Sequence, residues 1–417
     1  MQVILINPPF NLGVNKDSKE GKYTAVLPPL GLLYVAAVMK KEGNKVEVWD
    51  CDVEGIDYHK LIERLQDLRP EYVGFYTNSA NIDMVLSICL NIKPFVKRIV
   101  LGGPEITLHP EKGKNYEVFK GQIDDINKLP FPARELINLD KYQPSPHHYI
   151  KSPSTTMITS IGCPYNCSYC YSSQLYKRKY QQRTVDNVIE EIKHLKKWYG
   201  IKEIQFWDDL FGLNRKWLIE FCEKVKELDI VWVCEMRANL VEPIILALMK
   251  EAGCYSIFYG CESFNQDILD LVNKQLTVKQ IKDAIIWTNM VGIMVRANFI
   301  LGLPLDTPEN AKKEIDEICK LPIDYIKWNL FCPYEGTEIY KGIEKYGKLT
   351  DAIKTNHEVS FIPNGYKDAD ELEQMRQYAF RKFYYRPIYI WKKIKEIRNP
   401  LTLKRYLRGL KLLLVRY

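Results

Sequence analysis

Three cysteines lie within eight residues of one another, at positions 163, 167 and 170, with the spacing C-x3-C-x2-C. They follow a strand-like run that ends at Thr159. Closely spaced thiolates are the ligands that iron–sulfur clusters and zinc select. A closed zinc site needs four ligands, and the nearest histidines, at 147, 148 and 194, have no standard zinc spacing to these cysteines. Three thiolates on a four-iron cluster would leave one iron open to a substrate or cofactor.

Residues 161–170 resemble the signature of the radical S-adenosylmethionine (SAM) enzymes, because an aromatic residue, Tyr169, also precedes the last cysteine. The resemblance implies that Cys163, Cys167 and Cys170 hold a [4Fe-4S] cluster and that Tyr169 contacts SAM. It also implies that SAM is cleaved reductively to a 5′-deoxyadenosyl radical, which takes a hydrogen atom from an unactivated carbon. A structural zinc site or a plain electron-transfer ferredoxin remains the alternative for the cysteines alone.

Three further segments resemble this family at predicted strand ends. Asp208 and Asp209 end the run IQFWDD, where the family places groups that bind the amino end of SAM. Arg237 in CEMRAN resembles the usual partner of the SAM carboxylate, a role that suits a planar guanidinium. Glu262 in YGCES resembles the acid of a G-x-E-S turn near the SAM ribose. Taken singly, the aspartates would be a solvated loop or helix cap and Glu262 a surface acid.

Two later turns extend the resemblance. Residues 299–304, FILGLP, resemble the GLPGET strand end against which adenine packs, and residues 332–337, CPYEGT, resemble PYPGT with Glu335 in place of a proline. The remaining cysteines are expected to be buried and reduced, with an active-site role as the alternative for the two at strand ends, Cys261 and Cys332. These eight cysteines are at positions 51, 89, 222, 234, 254, 261, 319 and 332.

The elements that position these residues follow from an alternation of strand-like and helical patterns. In the first 105 residues, strands are predicted over 3–6, 46–49, 72–76 and 98–101, and helices over 30–41, 58–68 and 82–92. Such alternation predicts parallel βαβ units in a Rossmann-like, doubly wound sheet. No G-x-G-x-x-G follows the first strand, which argues against a dinucleotide site.

This first domain resembles the cobalamin-binding domain of one radical SAM subfamily, through INPP, PPLGLLYVAA, VLGGPE and LPFPARELINLDKY. Ligands of open α/β sheets bind at the loops that follow the strands. The resemblance therefore implies that cobalamin is contacted by residues of these loops. They are Pro9, Thr77, Asn78, Ser79, Gly102, Gly103, Pro104 and Glu105.

Two departures from the subfamily bear on the cobalamin prediction. Members usually have a fifth strand here, and residues 115–121 are its sole candidate remnant, so the sheet could be trimmed and the pocket incomplete. No Asp-x-His-x-x-Gly is present, so we expect no histidine as the lower ligand of cobalamin.

Six strand-like runs end between Thr159 and Phe331, too few for an eight-unit barrel, so we predict a partial (β/α)6 radical SAM barrel. Helices are predicted between them over 185–198 and 216–227. The predicted organisation is a Rossmann-like domain over 1–135, a proline-rich linker over 136–152, the barrel over 153–345 and a helical C-terminal extension over 346–417.

Charge is concentrated in the extension. Residues 381–417 contain twelve Lys or Arg and one acid, whereas the other 380 residues sum to −4 of the net +7. Apolar residues at helical spacing predict one stripe through Phe383, Ile390, Ile394 and Ile397 and a second through Leu403, Leu407, Leu410 and Leu414. The extension is expected either to cover the barrel edge or to contact a membrane surface or another anionic partner. No nucleic-acid module is recognisable, so no nucleic-acid partner is expected.

The leading hypothesis is a cobalamin-dependent radical SAM methyltransferase acting on an unactivated carbon, with methylcobalamin as the methyl donor. The alternatives are a radical SAM cyclase or oxidoreductase with a vestigial cobalamin domain, and a non-catalytic iron–sulfur or zinc protein. The substrate class is left open among small molecules, lipids, peptides and proteins, and the sequence assigns no catalytic acid or base. An external one-electron reductant such as flavodoxin or ferredoxin is expected. No secretory pattern or membrane-spanning apolar run is recognised, so a cytoplasmic location is expected, with membrane association as a variant. The leading hypothesis places the enzyme in an anaerobic cytoplasm.

Overall fold

The structure is a computed structural model of the 417-residue chain. It describes residues 1–9, 26–119, 121, 123–142, 144, 149–352, 355, 358–397, 403, 406 and 407. The chain forms two compact units, Met1–Ser145 and Pro146–Tyr417. Their boundary falls inside residues 136–152, the stretch predicted as the linker.

The N-terminal unit is built on a five-stranded parallel sheet with the order β2-β1-β3-β4-β5. Its strands are β1 Gln2–Asn7, β2 Lys45–Asp50, β3 Tyr72–Tyr76, β4 Arg98–Gly102 and β5 Glu117–Val118. The strand order reverses between β1 and β3, so the loops after these two strands diverge and leave a crevice. The doubly wound fold predicted from the alternation is confirmed. The fifth strand is present within residues 115–121 but has only two residues.

Helices cover both faces of this sheet because its central strands are apolar on both sides. Val3 and Leu5 pack under α1 together with Leu32 and Leu33, and Ile4 and Ile6 face the opposite layer. The three long helices have the bounds predicted from their periodicity. The helices are α1 Leu30–Lys41, α2 Cys51–Glu54, α3 Tyr58–Leu68, α4 Ile82–Ile92 and α5 Pro104–Leu108.

The C-terminal unit contains six parallel strands in the order β6-β9-β10-β11-β12-β13. Within the described residues the two edge strands, β6 and β13, do not pair with each other, which makes the barrel open and partial as predicted. These strands are β6 Ser154–Met157, β9 Glu203–Phe206, β10 Val231–Met236, β11 Cys254–Glu262, β12 Met294–Leu301 and β13 Tyr325–Leu330.

Two short antiparallel pairs and nine helices in the described chain complete this unit. The pairs are β7 Ser160–Ile161 with β8 Gln181–Gln182, and β14 Gly347–Leu349 with β15 Phe361–Pro363. The helices are α6 Tyr171–Leu175, α7 Val185–Tyr199, α8 Arg215–Lys226, α9 Pro243–Glu251, α10 Gln266–Leu271, α11 Val278–Met290, α12 Pro308–Ile318, α13 Ala369–Tyr384 and α14 Pro387–Lys395.

Helix α13 closes off the free edge of β13. The Tyr384 hydroxyl accepts a hydrogen bond from the Ile326 amide at 3.1 Å and donates one to the Ile326 carbonyl at 2.7 Å. Leu372 and Phe383 of the same helix are buried in the main core. One amide and one carbonyl of this edge strand are thereby satisfied by a side chain.

The apolar stripe predicted through Phe383, Ile390 and Ile394 is not continuous. Phe383 is fully buried on α13, whereas Ile390 and Ile394 are exposed on α14. The chain changes direction because Pro387 cannot continue the helix and begins a new one. The second predicted stripe and the basic residues after 397 lie largely outside the described residues. None of the described helices is both long and apolar enough to traverse a bilayer.

Candidate functional site

The cysteine segment is a loop between β7 and α6 at the carboxyl end of the barrel strands. Cys170 is the N-cap of α6, and its amide donates to the Cys167 carbonyl at 3.0 Å. The Ser168 amide donates to the Val272 carbonyl at 2.9 Å, and the Asn273 side chain donates to the Asn166 carbonyl at 2.7 Å. The thiols are therefore carried by a loop that is tied to the segment after α10.

Asp208, at the end of β9, organises the start of this loop. Its Oδ1 atom accepts hydrogen bonds from the amide and hydroxyl of Thr159, at 2.8 and 2.9 Å, and from the amide and hydroxyl of Ser160. Its Oδ2 atom is buried without a hydrogen-bond partner among the described residues. Burial raises the pKa of Asp208 to about 6, against the effect of its hydrogen bonds. Asp208 therefore stabilises the segment that leads into the cysteine loop.

Asp209 is placed differently from its neighbour. It is exposed, and its carboxylate accepts hydrogen bonds from the Gly162 amide at 3.0 Å and from the Ser172 hydroxyl at 2.5 Å. Gly162 has φ +77°, and a Cβ there would lie 2.1 Å from the Lys179 carbonyl oxygen. A glycine is therefore required immediately before the first cysteine.

The three thiols provide a donor set that fits an iron–sulfur cluster. Cys167 is buried and Cys163 and Cys170 are half-buried, and all are free thiols. Burial raises the pKa of Cys163, and raises that of Cys170 to about 11. No three His, Cys, Asp or Glu side chains in the described ranges converge to hold one metal ion. A [4Fe-4S] cluster takes its cysteines on separate irons, so its ligands need no such convergence.

Arg237 brings a positive charge to this donor set. It follows β10, is 6% exposed, and its Nη1 atom donates to Cys167 Sγ at 3.7 Å. Its guanidinium lies 3.6 Å from the centre of the Tyr165 ring and also donates to the Lys274 carbonyl. Arg237 therefore connects Cys167 to the segment that follows α10.

Glu262 and Lys274 form a buried ion pair next to Tyr169. Lys274 Nζ lies 2.6 Å from Glu262 Oε1 and 3.3 Å from the Tyr169 hydroxyl, and both charged side chains are 7% exposed. Burial raises the pKa of Tyr169, and the Glu262 carboxylate raises it further. Burial alone would lower the pKa of Lys274, but the charges of Glu262 and Cys167 raise it above its ordinary value. The structure thus brings Tyr169, Arg237, Glu262 and the cysteines together.

A row of asparagines continues from Glu262 across the sheet. Asn298 on β12 donates to Glu262 Oε2 at 3.4 Å, and Asn329 on β13 donates to Asn298 Oδ1 at 2.6 Å. The Oδ1 atom of Asn329 is buried without a partner in the described chain. Lys274, Asn298 and Asn329 were not predicted from the sequence. The asparagines were detectable as polar residues within mostly apolar strands, each of which also contains one basic residue, whereas no local pattern marks Lys274.

The turn after β12 is fixed by a buried carboxylate. Gly302 has φ +78°, and its amide donates to Asp306 Oδ2 at 2.7 Å. The Tyr366 hydroxyl donates to the same oxygen at 3.3 Å. Burial raises the pKa of Asp306 to about 7. This arrangement keeps the segment resembling GLPGET in a tight conformation.

In the N-terminal unit, the loops after β3 and β4 are bonded to each other. The Thr77 amide and hydroxyl donate to the Gly102 carbonyl at 2.7 and 2.9 Å, and Thr77 is completely buried. Gly103 has φ +106°, and a Cβ there would lie 2.3 Å from the Thr77 carbonyl oxygen. This close approach of the two loops requires a glycine at position 103, so the loops at the ends of β3 and β4 present backbone and small residues to any ligand bound there.

The other predicted cobalamin residues have varied surroundings. Asn78 accepts hydrogen bonds from the amides of Ala80 and Asn81 at 3.0 and 3.1 Å, which shapes a turn. Glu105 is 3% exposed and pairs with Lys112 at 2.6 Å. Ser79 and Pro104 are half-buried and Pro9 is buried. The side chains of Asn78 and Glu105 therefore stabilise these loops through contacts within the N-terminal unit.

Two family models match the chain. The Radical SAM superfamily model matches residues 157–318, and the B12 binding domain model matches residues 21–125. The two matches fall in the C-terminal and N-terminal units, respectively.

The chain is similar to several methyltransferases over most of its length. It is 28% identical to an uncharacterised methyltransferase of Pyrococcus horikoshii, with 98% of each chain covered. It is 29% identical to cytidylyl-2-hydroxyethylphosphonate methyltransferase of Streptomyces wedmorensis, with 76% of this chain and 75% of the relative covered.

A solved structure shares the fold. The radical SAM methyltransferase TsrM of Kitasatospora setae, determined with cobalamin and a [4Fe-4S] cluster bound, superimposes with a TM-score of 0.68 at 15% identity. The match covers 93% of this chain and 89% of that one. The fold is therefore shared over nearly the whole length of both chains.

Proposed function

We propose that this chain, which belongs to the radical SAM superfamily and carries a B12-binding domain, is a cobalamin-dependent methyltransferase that acts on an unactivated carbon. The single observation that carries the proposal is the convergence of Cys167, Arg237, Glu262 and Lys274 at the carboxyl end of the barrel sheet. The B12-binding match in the same chain and the similarity to named methyltransferases support methyl transfer over the other reactions of the superfamily.

The bound cluster, SAM and cobalamin supply one-electron cleavage of SAM and a transferable methyl group. In this proposal Cys163, Cys167 and Cys170 ligate the cluster. Arg237 holds the SAM carboxylate, for which its planar guanidinium beside Cys167 is suited. Asp209 is the exposed acid available to the SAM amino group, and Asp208 positions the loop from beneath.

Glu262 and Tyr169 complete the proposed SAM contacts. Lys274 acts as a positioning residue, because its ammonium fixes the Glu262 carboxylate and reaches the Tyr169 hydroxyl. Burial of this group excludes water from the place where a reactive radical would be formed. In the N-terminal unit, the loops of Thr77–Ser79 and Gly102–Glu105, with Pro9, would hold cobalamin.

The test is anaerobic reconstitution with iron, sulfide, SAM, cobalamin and a strong reductant, followed by mass analysis of nucleoside products. We expect stoichiometric cobalamin, together with both 5′-deoxyadenosine and S-adenosylhomocysteine. Protein that keeps its cluster but excludes cobalamin would contradict the methyltransferase assignment. Deoxyadenosine without S-adenosylhomocysteine would favour the cyclase or oxidoreductase alternative. A loaded protein that never cleaves SAM would favour the non-catalytic alternative.

We further propose that an external flavodoxin or ferredoxin supplies the electron, in a reducing, anaerobic cytoplasm. The presence of eleven free cysteines supports a reducing compartment. The check is replacement of the chemical reductant by purified flavodoxin with its reductase. We expect deoxyadenosine to form at a comparable rate per chain.

Helix α14 supports a proposed contact with an anionic membrane surface. Ile388, Trp391 and Ile394 are exposed on it, and Lys392, Lys393 and Lys395 lie among them. Exposed apolar side chains flanked by lysines suit the interface of an anionic bilayer. Flotation with phosphatidylserine-containing vesicles should recover the protein, and Ile388→Ala/Trp391→Ala should reduce the recovery. The matched control is Ile244→Ala on α9, where an equally exposed apolar residue lies outside this region.

A further inference from the structure

A group of charged side chains on the concave face of the barrel sheet has no role in the chemistry described so far. Strand alternation places Glu235, Arg296 and Lys327 on this face, because their sequence neighbours point into the core beneath the helices. Those buried neighbours are Cys234, Met236, Val295, Ala297, Ile326 and Trp328.

Arg296 has no hydrogen-bond acceptor among the described residues. Its guanidinium lies 5.5 Å from the centre of the Phe258 ring. The Glu235 carboxylate interacts with it electrostatically but does not form a hydrogen bond with it. Burial lowers the pKa of Arg296. A guanidinium carries five N–H donors, and those of Arg296 are accessible because the side chain is only half-buried. A side chain in this state is suited to receive an acceptor from outside the chain.

The two acids on this face do not hold the Arg296 guanidinium. Glu235 is the acid that acts on both Arg296 and Lys327, and burial raises its pKa to about 7, so it is only partly ionised at neutral pH. Glu203, a second acid on the same face, is already engaged by the amides of Ile150 and Lys151, at 2.8 and 2.7 Å. Neither acid therefore accepts a hydrogen bond from Arg296 in the described part of the chain.

We propose that Arg296, assisted by Lys327, binds an anionic oxygen group of the substrate, a carboxylate or a phosphate. The inference rests on the proposed function and assigns a substrate class to the same barrel. A guanidinium binds such groups with two parallel hydrogen bonds, and Phe258 provides an apolar wall beside it. Arg296 shares a face of β12 with Asn298, two residues further on, whose side chain contacts Glu262. The anion would thus anchor the substrate on the sheet face that leads to the proposed SAM contacts.

The experiment titrates the anaerobically reconstituted protein by calorimetry with succinate, inorganic phosphate and the neutral analogue succinamide, at constant ionic strength set by chloride. We expect one of the two anions to bind, which distinguishes a carboxylate from a phosphate substrate, and succinamide to bind at least about tenfold more weakly. Arg296→Met should weaken anion binding by at least about tenfold, since a charge-assisted bidentate contact is lost.

Two further variants keep the test independent of folding. Arg296→Lys keeps the positive charge but removes the planar pair of N–H donors, so its affinity for the anion should be intermediate. Glu235→Gln removes the opposing acid and should tighten anion binding. The matched control is Lys313→Met on the exposed side of α12, which should bind as the unaltered protein does.

Equal binding of succinate and succinamide, or unchanged anion binding in Arg296→Met, would overturn the inference. Loss of affinity in Glu235→Gln would do the same, because it would assign the recognition to the acid. Iron and cobalamin contents measured on the same preparations test the proposed function separately. A protein that contains its full complement of iron and cobalamin but binds neither anion would therefore overturn only the substrate class.

Discussion

The ammonium nitrogen of Lys274 lies 2.6 Å from the Oε1 carboxylate oxygen of Glu262, and both side chains are buried at the carboxyl end of the barrel sheet. The two residues are supplied by different segments, since Glu262 ends β11 and Lys274 follows α10. The Lys274 carbonyl also accepts a hydrogen bond from Arg237, which contacts Cys167. The pair therefore connects the turn proposed to bind SAM with the loop proposed to hold the cluster.

Lys274→Met should lower both stability and SAM affinity. Removing one partner leaves the Glu262 carboxylate buried and unpaired, at a cost of about 3–5 kcal/mol in the free energy of unfolding. The double variant Lys274→Met/Glu262→Leu should recover much of that stability without recovering SAM binding. Denaturant unfolding and equilibrium SAM binding measure the two effects. If the double variant bound SAM normally, the pair would have only a structural role.

Substitution of any one of Cys163, Cys167 and Cys170 by Ser should abolish the cluster. We expect iron content to fall from about four atoms per chain to near zero, because each thiolate ligates its own iron. Cys89→Ser and Cys222→Ser are matched controls, since both thiols are buried in the core away from the loop. Full iron in a Cys167→Ser preparation would place the cluster elsewhere. Iron analysis and absorption spectra provide the measurement.

Asp208 and Asp209 should differ in their effects although they are adjacent. Asp208→Ala removes the acceptor of four hydrogen bonds from Thr159 and Ser160 and should cost about 3 kcal/mol of stability. Asp209→Ala should change stability by less than about 1 kcal/mol, since its carboxylate is exposed, and should weaken SAM binding. Thermal unfolding and SAM titration of the two variants separate the roles. Equal stability losses would show that both acids only support the loop.

Asp306→Asn should change how stability depends on pH. Burial raises the pKa of Asp306 from 3.8 to about 7, so the folded protein retains a proton that the unfolded chain has lost. Stability of the unaltered protein relative to the Asn variant should therefore fall by about 1.4 kcal/mol per pH unit between these values and level off above them. Unfolding measured at a series of pH values checks the slope. A flat difference would mean that Asp306 is ionised throughout.

Much of the architecture could be predicted because the helices and strands follow from the local periodicity of apolar residues. The helices Leu30–Lys41, Tyr58–Leu68 and Ile82–Ile92 have the predicted bounds, since one apolar face repeats every three or four residues. The break between α13 and α14 was missed because apolar spacing continues across it. Pro387 was the local signal that should have ended the stripe.

The sequence by itself determined which residues are proposed to carry the chemistry of the site. The cysteine spacing and two of the motifs are short-range features, which can be recognised without knowledge of the fold. They are the C-x3-C-x2-C of Cys163, Cys167 and Cys170 and the segments around Arg237 and Glu262. Only the tertiary structure decided which charges meet. Lys274 reaches Glu262, Asn298 reaches Asn329, and Arg296 is left without an acceptor in the described chain, because contacts between strands depend on register and sheet curvature. Those are set by packing of the whole barrel, which no local pattern encodes.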